Sequence, residues 1–539
     1  MQNQYVFNNE TKELHTGGVP FTCPPGGMGK AIFENMKKHA AAGLVSQIEG
    51  ETGLEESFET SLNKCIKLAL YMREQNIKPG DKISMCSENT LNSSAVLFAS
   101  LFTGAILAAT DPRFSAEYTK DLLDLVEPKL IFVCEESIDR IVNAIKNCTY
   151  KTKIVPLYKH DSMENAPNIC SKYTTEEIES FEPIYVKDSS TIASILFSSG
   201  TTGLPKASCL SHNALLTDFG LNYSTFTKFD LPRVRILGFA SLFWISGFNY
   251  IVTCFYFGFT KVMFRKFNAE TVWNTLDKYE INFVFLSHIH GPCSQYLEHS
   301  LPHLKAVVIL SGTLPTVYHN TLKEKLKNVP IITGYGMTEI GVVAVNNGSY
   351  DPPNLYTPRP KGSIIRIVDP GNETPLDLNQ IGEIRIKGVG QLNGYYKEDS
   401  KDCWDAQGFF KTGDLGYLND DYRLHVVDRI KELIKYDNYR IAPASIEKIL
   451  KQHPAVLLAI VVGLCPVEER HEQVLGIVVL KKGCCVSADE LLRFANEQLD
   501  ELHQIRAGIK FIAENEIPYT VTGKIHRIKL RQMYEYLIL

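Results

Sequence analysis

The chain has 539 residues, of which 44% are apolar and 22% are charged, and its formal net charge is −5. This length exceeds one ordinary hydrophobic core, so two or more domains are expected. The small net charge and the lack of a long lysine or arginine block argue against nucleic acid as a partner.

The cysteine content and the chain ends bear on the compartment. Thirteen cysteines are scattered without a C-x-x-C pair, and the first four residues are polar rather than part of a secretory leader. We therefore expect free thiols in a reducing compartment. The last residues, Leu537, Ile538 and Leu539, are not the Ser-Lys-Leu peroxisomal targeting signal. The expected location is cytoplasmic or peroxisomal, and secretion is not expected.

Short apolar runs alternate with helical patterns over about the first 430 residues. Strands are predicted at residues 82–86, 129–133, 282–286 and 306–310, and a helix at 93–108. Strands separated by helices are typical of parallel α/β sheets.

A long stretch between Arg235 and Lys261 carries no charged residue. Its length would permit a membrane span. Ser241, Gly247 and Asn249 interrupt it, however, so we favour a strand and a turn followed by a buried helix, and we expect no transmembrane segment.

The pattern changes twice towards the C-terminus. Residues 351–390 are rich in proline and glycine, with short strands at 364–368 and 382–386 that fit a small β subdomain. A boundary near residue 429 divides the chain into domains 1–429 and 430–539.

The second domain has a small α+β pattern of its own. A helix is predicted at 443–452, and strands at 459–462 and 475–480. Ser487 begins a capping-box pattern for a further helix, whose apolar side would hold Leu491, Ala495, Leu499 and Leu502.

A glycine- and hydroxyl-rich segment follows the apolar run at 192–197. Glycines let backbone N–H groups approach an anion closely, while hydroxyls and a lysine add donors and positive charge. The pattern indicates a polyphosphate-binding loop, although it is not a Walker A motif and a plain serine-rich surface loop remains the alternative. The segment comprises Ser198, Ser199, Gly200, Thr201, Thr202, Gly203, Leu204, Pro205 and Lys206.

Four further short motifs are weak singly and informative in their order. The first has an acid beside a threonine, the second an aspartate expected in a turn, the third an arginine at the domain boundary, and the fourth a late lysine followed by Arg527. They are Tyr335-Gly336-Met337-Thr338-Glu339, Thr412-Gly413-Asp414, Asp428-Arg429 and Thr522-Gly523-Lys524.

With these motifs in this order, the chain resembles the adenylate-forming (ANL) superfamily from about Pro20 to Tyr534. Residues 426–436 and 441–444 are especially similar to the branch of insect luciferase-like acyl-CoA synthetases and 4-coumarate–CoA ligases. The resemblance implies a large N-terminal domain with two α/β sheets and a β-barrel, and a small mobile C-terminal lid. It also implies a two-step reaction in which a carboxylate and ATP form an acyl-AMP, and coenzyme A then takes the acyl group.

The resemblance also implies a role for each motif. The glycine-rich loop would wrap the β- and γ-phosphates, Thr338 would reach the α-phosphate, and Glu339 would hold Mg²⁺. Asp414 would accept the ribose hydroxyls, with Arg429 beside the ribose or phosphate. The remaining nucleotide-binding positions, several of them around the adenine, would be Leu314, Gly334, Tyr335, Gly336 and Met337.

Lys524 would be the catalytic cation, which bridges the attacking carboxylate and the α-phosphate. Lys431 matches the hinge position of the lid. Lys435 and Asn438 match positions that serve the coenzyme A step.

The chain departs from the resemblance at the acyl pocket and at the thiol step. Trp244 stands where the branch usually has histidine, and Thr313 replaces a glycine beside Gly312 on the pocket wall. Asp437 and Asn438 stand where the lid usually has lysine and glycine. These departures leave the residues expected for adenylation in place, so adenylation is better supported than transfer to coenzyme A.

The expected function is that of an ATP-, Mg²⁺- and coenzyme A-dependent acyl-CoA synthetase acting on a medium- or long-chain fatty acid or a related apolar carboxylate. The alternatives are a non-catalytic nucleotide- or acyl-binding paralogue and a luciferase-like monooxygenase. The sequence leaves the acid and the oligomeric state open.

Overall fold

The computed structural model describes residues 5–17, 22–198, 206–215, 231–298, 300–310, 316–346, 355–358, 362–388, 392–436, 439–464, 472–501, 503–520 and 524–535. Its helices are α1 Gly27–Ala41, α2 Phe58–Glu74, α3 Ser93–Thr103, α4 Ala116–Val126, α5 Ile138–Ile145, α6 Ala166–Cys170, α7 Thr175–Glu179, α8 Ile245–Phe257, α9 Val272–Lys278, α10 Thr316–Lys325, α11 Pro443–Leu450, α12 Ala488–Asn496 and α13 Arg527–Tyr534.

The strands of the first half are β1 Val6–Asn8, β2 Glu13–His15, β3 Val45–Glu49, β4 Leu54–Ser57, β5 Lys82–Cys86, β6 Ile106–Thr110, β7 Leu130–Val133, β8 Lys153–Pro156, β9 Ile192–Ser198, β10 Lys206–Ser211, β11 Arg235–Gly238, β12 Thr260–Met263 and β13 Phe283–Ser287. Those of the second half are β14 Ala306–Leu310, β15 Ile331–Met337, β16 Gly341–Asn346, β17 Leu355–Pro358, β18 Ile364–Val368, β19 Gly382–Lys387, β20 Phe410–Leu418, β21 Leu424–Arg429, β22 Ile434–Tyr436, β23 Tyr439–Ile441, β24 Val456–Leu464, β25 Gln473–Leu480 and β26 Ile509–Phe511.

Two large sheets dominate the N-terminal part, as the alternating pattern predicts. The first has six strands in the order β10-β9-β6-β5-β7-β8, parallel except for the β9–β10 hairpin. The second has fifteen strands among the described residues and is parallel from β3 through β12, β11, β13 and β14 to β15. The α/β class is therefore confirmed.

Helices α1, α2, α3 and α8 contribute to a core shared by both sheets. It joins Ile83 and Phe132 of the six-stranded sheet with Ile236 and Phe283 of the fifteen-stranded sheet. Helix α3 is buried along its whole length, which explains why its sequence is apolar on every side.

The predicted β subdomain consists of antiparallel strands that continue the large sheet. Strands β18 to β21 pair with each other, and β17 links β21 to β16. Within the described residues, these pairings form an open continuation of the sheet and do not by themselves show a barrel.

The helix predicted at 93–108 is too long. It ends at Thr103 because Gly104 adopts a left-handed conformation, with φ of 73°, and the chain then enters strand β6 at Ile106. The pattern misled because helix and strand are both fully buried here, so neither shows a period of its own.

The uncharged stretch after Arg235 folds as strand β11, a turn, helix α8 and strand β12. In the part of the chain that the structure describes, no helix has both the length and the apolar character that crossing a membrane requires. The twelve cysteines in the described ranges are all free thiols, as expected.

The C-terminal part has hydrophobic cores of its own. Helices α11 and α12 pack with strands β24 and β25 in one core, and helix α13 packs in a second, each formed by residues numbered 434 or higher. The division into 1–429 and 430–539 stays a proposal, which these separate cores support.

Helix α12 begins as predicted, because Ser487 Oγ accepts the N–H of Glu490. It ends at Asn496, earlier than the apolar pattern suggests, so Leu499 packs from beyond its end. Leu502 lies outside the described residues.

Candidate functional site

The predicted phosphate loop joins two antiparallel strands. Ser198 ends β9 and Lys206 begins β10, and they are partners in the strand register. Residues 199–205 between them lie outside the described residues, as does the side chain of Ser198. The loop therefore starts and ends at one point of the six-stranded sheet, where Lys206 marks its base.

The Lys206 ammonium group has two described neighbours. Its Nζ lies 3.0 Å from Oε1 of Glu398 and 4.6 Å from the ring centroid of Tyr395. Such a cation–π contact holds the charge in place without neutralising it.

The segment 392–396 runs along β10 like an added strand. The N–H of Cys209 on β10 donates to the carbonyl of Gly394, and the N–H of Asn393 donates to the carbonyl of Cys209. The N–H of Tyr396 donates to the carbonyl of Ala207 at 2.8 Å. At its other end, the N–H of Leu392 donates to the carbonyl of Glu339 at 2.7 Å. The segment thus joins the base of the phosphate loop to the predicted metal-binding residue.

Tyr395 makes the same connection with its side chain. Its hydroxyl donates to Oε1 of Glu339 at 3.1 Å, while its ring lies beneath the Lys206 ammonium. Burial and the nearby Glu339 carboxylate raise the pKa of Tyr395, so the phenol stays protonated and able to donate. Sequence reasoning missed this residue, and its signal is the aromatic pair that follows Gly394 in a polar loop.

Thr338 and Glu339 lie in the hairpin turn between β15 and β16. The turn is tight: a Cβ on Gly336 would come 2.4 Å from the Gly341 carbonyl oxygen, so this motif position requires glycine. Glu339 is 8% exposed. The motif therefore presents one confined carboxylate at the end of the parallel part of the sheet.

Asp414 lies within strand β20 rather than in the turn that its motif predicts. Gly413, at φ of 68°, permits the local kink, and Asp414 is the register partner of Arg429 on β21. The Arg429 Nε lies 2.8 Å from Asp414 Oδ1, and the Tyr335 hydroxyl donates to Oδ2 at 2.8 Å. The turn prediction was wrong because the three residues carry no sign of the strand pairing that holds them.

The predicted adenine-site tyrosine thus supports the predicted ribose carboxylate. Tyr335 is 8% exposed and Asp414 is 4% exposed. Burial raises the pKa of Asp414, whereas the charge of Arg429 and the hydroxyl of Tyr335 act to lower it. For Arg429, burial acts to lower the pKa, but Asp414, Tyr335, Glu432 and Glu339 together raise it above its ordinary value.

Lys524 reaches this same group of charges from the C-terminal part. Its side chain keeps solvent access, yet the surrounding protein lowers its pKa, and the positive charge of Arg429 lowers it further. Asp414 and Glu339 act in the opposite direction. The charges of Asp414, Arg429 and Glu339 therefore act on the pKa of Lys524.

The predicted hinge position lies in a short turn. Lys431 is exposed in the 3-10 turn Ile430–Glu432, which follows β21. Asp428, on the preceding strand, accepts the N–H of Ala444 at 3.1 Å at the start of α11. This bond joins the last strand of the large sheet to the first helix of the C-terminal part, and burial raises the pKa of Asp428 to about 6.

Lys435 is exposed on strand β22 of the C-terminal part. Its backbone N–H donates to Oε2 of Glu472 at 2.8 Å.

Trp244 stands at the start of helix α8. Its ring is partly buried and packs edge-on against Phe243, with 5.1 Å between the ring centroids. It packs against a hydrophobic core that includes Phe114 and Phe197, next to the six-stranded sheet. The predicted acyl-pocket position therefore belongs to an aromatic cluster between helix α8 and that sheet.

Several predicted residues lie outside the described ranges. They are the loop residues Ser199, Gly200, Thr201, Thr202 and Gly203, the pocket and adenine residues Gly312, Thr313 and Leu314, and Asp437, Asn438, Thr522 and Gly523.

The Glu339 carboxylate fits Mg²⁺ brought by a nucleotide. Within the described ranges, no group of three or more His, Cys, Asp or Glu side chains could hold a metal ion. Mg²⁺ commonly uses one or two carboxylates together with substrate phosphates and water. The single confined carboxylate of Glu339 suits that mode.

Comparisons with known proteins match two family models to this chain. The family model described as AMP-binding enzyme matches residues 38–396, and the model described as AMP-binding enzyme C-terminal domain matches residues 445–524.

Individual relatives match over nearly the whole chain. A luciferin 4-monooxygenase of Photuris pensylvanica is 28% identical and covers 98% of this chain and 99% of its own length. A 4-coumarate–CoA ligase 2 of Petroselinum crispum is 29% identical, with 93% and 92% covered. The solved luciferase-like enzyme of the nonluminescent mealworm Zophobas morio is 28% identical, with a TM-score of 0.70 over 77% of this chain and 99% of that one.

Proposed function

This chain belongs to the AMP-binding enzyme family, in the firefly luciferase and 4-coumarate–CoA ligase branch of the adenylate-forming superfamily, and we propose that it joins a carboxylic acid to AMP from ATP. One observation carries the proposal. The Asp414 carboxylate is held by Arg429 Nε and by the Tyr335 hydroxyl, each at 2.8 Å, and the charges of this group act on the pKa of Lys524, which comes from the C-terminal part.

The nucleotide would be held by the strand pair β20–β21 and the turn after β15. The Asp414 carboxylate would accept the ribose hydroxyls, while Arg429 and Tyr335 keep it oriented. The loop between Ser198 and Lys206 would surround the β- and γ-phosphates, and Thr338 would reach the α-phosphate. Mg²⁺ bound with ATP would be held by Glu339 and would neutralise part of the phosphate charge.

The first step has to overcome the repulsion between two anions. A carboxylate oxygen of the acid forms a bond to the α-phosphorus, the bond from that phosphorus to the bridging oxygen breaks, and pyrophosphate leaves. The Lys524 ammonium would donate to both the acid and an α-phosphate oxygen, which positions them and stabilises the developing charge. The surrounding protein and the charge of Arg429 lower the pKa of Lys524, while Asp414 and Glu339 act to raise it.

A second step would transfer the acyl group to coenzyme A. The thiolate sulfur bonds to the acyl carbon, the mixed anhydride bond breaks, and AMP leaves. Rotation at Lys431 would withdraw Lys524 and bring Lys435 and Asn438 to the site. A 4-coumarate–CoA ligase among the relatives supports this step, whereas Asp437 and Asn438 weaken the expectation for it.

For the acid, we propose a medium- or long-chain fatty acid or a related apolar carboxylate. The aromatic surroundings of Trp244 favour an apolar chain over a charged one. An indole is larger than the imidazole of the branch and cannot accept a hydrogen bond, so the pocket would differ in shape from that of its relatives.

The test is ATP–pyrophosphate exchange with a panel of carboxylic acids of graded length. Exchange with at least one acid supports adenylation, and Lys524→Ala is expected to lower it about 100-fold or more. Lys529→Ala is the matched control, because Lys529 is an exposed lysine in the same segment. Exchange that survives Lys524→Ala at the parent rate would refute the proposed role.

Two other functions give different results in the same assay. A nucleotide- or acyl-binding paralogue would bind ATP without exchange for any acid, and the substitution at Trp244 favours this alternative. A luciferase-like monooxygenase would emit light with luciferin, as relatives named luciferin 4-monooxygenase suggest, although one matched luciferase-like enzyme comes from a nonluminescent mealworm.

A further inference from the structure

Arg527 follows Lys524 closely and has no role in the chemistry proposed so far. It begins helix α13, and its guanidinium contacts three elements of the C-terminal part. Nε lies 2.9 Å from Glu432 Oε2, Nη1 lies 2.8 Å from Glu447 Oε1, and Nη1 donates to the Val461 carbonyl at 2.7 Å. Its side chain is 20% exposed, so these contacts are partly shielded from water.

Two of the contacts fix Arg527 to the C-terminal core. Glu447 is buried on helix α11 and accepts the N–H of Val461 on β24 at 2.9 Å. Burial acts to raise the pKa of Glu447, but the charges of Arg527 and Lys451 dominate and lower it. Arg527 is therefore held by a carboxylate that is itself held by the sheet.

The third contact reaches the predicted hinge turn. Glu432 ends the turn Ile430–Glu432, while Arg429, directly before the turn, is held by Asp414 in the large sheet. One end of the turn is thus attached to the N-terminal part and the other to Arg527. A rotation between the two parts would then fall on the two residues between these anchors, Ile430 and Lys431.

The loop that carries Lys524 is closed at its base, directly before Arg527 in the chain. The N–H of Thr520 donates to the Lys524 carbonyl at 2.7 Å, and the N–H of Lys524 donates to Thr520 Oγ1 at 3.1 Å. Tyr519 and Ile525 form a β-bridge across the base of this loop. Three residues after Lys524, the chain reaches Arg527.

We propose that Arg527, through Glu432, is a positioning residue that locks the Lys524 loop to the end of the hinge turn. Lys524 then moves with Glu432 as one rigid piece, and its position over the nucleotide is set by the angle at Ile430 and Lys431. This inference rests on the proposed adenylation and explains how a lysine on a separate domain reaches a fixed place.

Glu432→Gln is the sharper variant for a test. It removes the charge that ties Arg527 to the hinge turn, yet it leaves Arg527 paired with buried Glu447, so the fold is kept. Arg531→Gln is the matched control, because Arg531 lies one turn further along α13 and contacts Gly463 and Glu472 instead of the hinge turn.

Two measurements are made on the full-length chain. In ATP–pyrophosphate exchange, Glu432→Gln is expected to lower kcat about 10-fold, because the Lys524 loop would lose its attachment to the hinge turn. The KM for ATP is expected to change less, although the Glu432 charge also acts on Asp414 and Arg429. In amide hydrogen exchange, peptides covering 428–434 and 519–527 are expected to exchange at least fivefold faster together. Arg531→Gln is expected to change neither measurement.

The opposite results are equally clear. An unchanged kcat in Glu432→Gln, an equal loss in Arg531→Gln, or faster amide exchange in only one of the two peptides would overturn the inference. If the parent shows no pyrophosphate exchange with any acid, the proposed function fails, and the amide exchange still decides whether the two segments are locked together.

Discussion

Asp414 and Arg429 face each other across the antiparallel strands β20 and β21, and an ion pair with 2.8 Å between Oδ1 and Nε joins them. The hydroxyl of Tyr335 occupies the second oxygen of the carboxylate. The predicted ribose-binding group is therefore oriented before a nucleotide arrives, so little ordering remains to be done on binding.

Asp414→Asn is expected to weaken ATP binding about 10- to 100-fold. The change removes the negative charge while Arg429 and the nearby Lys524 remain, and it replaces one acceptor oxygen by a donor. Titration with a fluorescent ATP analogue measures the effect. Asp421→Asn, at an exposed acid of the β20–β21 hairpin, serves as the control and is expected to bind ATP like the parent.

Tyr395→Phe is expected to raise the Mg²⁺ concentration needed for half-maximal ATP binding about 10-fold. The variant keeps the ring beneath Lys206 but loses the hydroxyl that donates to Glu339, and a hydrogen bond to a charged group contributes about 1.5–3 kcal/mol. Mg²⁺ titrations at fixed ATP measure the change. Tyr396→Phe, one residue on, should leave the Mg²⁺ requirement as it is, and a similar shift in both variants would show that the hydroxyl of Tyr395 has no special part.

Lys261→Met is expected to stabilise the protein at neutral pH. Lys261 is fully buried, its Nζ donates to Ser94 Oγ at 2.6 Å, and burial lowers its pKa from 10.5 to about 7. Charging it in the folded state is therefore unfavourable, by on the order of 5 kcal/mol for a shift of this size.

The sign of the pH dependence follows from these pKa values. Above about pH 10.5 the lysine is neutral in both states and has no effect. As the pH falls towards 7, the unfolded chain takes up a proton that folded Lys261 does not, so the stability of the parent falls relative to the variant. The difference in Tm between Lys261→Met and the parent should thus be largest at or below pH 7 and close to zero near pH 10.5, whereas Lys278→Met, at an exposed lysine, should show no such trend.

Trp244→His is expected to change which acids the protein activates. Imidazole is smaller than indole and can accept a hydrogen bond, so the pocket beside Phe243 would gain room and polarity. The ratio of kcat/KM between bulky and slender acids should rise about 5- to 10-fold in pyrophosphate exchange. Trp244→Phe, which keeps an apolar ring, should move this ratio less, and identical ratios in all three proteins would remove Trp244 from the pocket.

Much of the fold could be predicted because a buried strand shows in its own short sequence as an apolar run. Residues 82–86, 306–310 and 364–368 form strands with the predicted bounds, since each is a short apolar run between turn residues. Helix α3 and Leu499 show the limit of this reasoning. Where helix and strand are both buried, or where an apolar residue packs beyond a helix end, the apolar pattern no longer marks the boundary.

The candidate site shows the same difference between features set by local sequence and features set by tertiary packing. The sequence by itself determined the family, and the proposed nucleotide motifs and the proposed role of Lys524 also come from it, because these depend on residue types within short segments. Only the tertiary structure decided that Asp414 lies in a strand against Arg429, that Tyr395 connects Glu339 with Lys206, and that Arg527 holds Glu432. These pairs are far apart in the chain or depend on strand register, and such contacts arise only when the strands and helices pack.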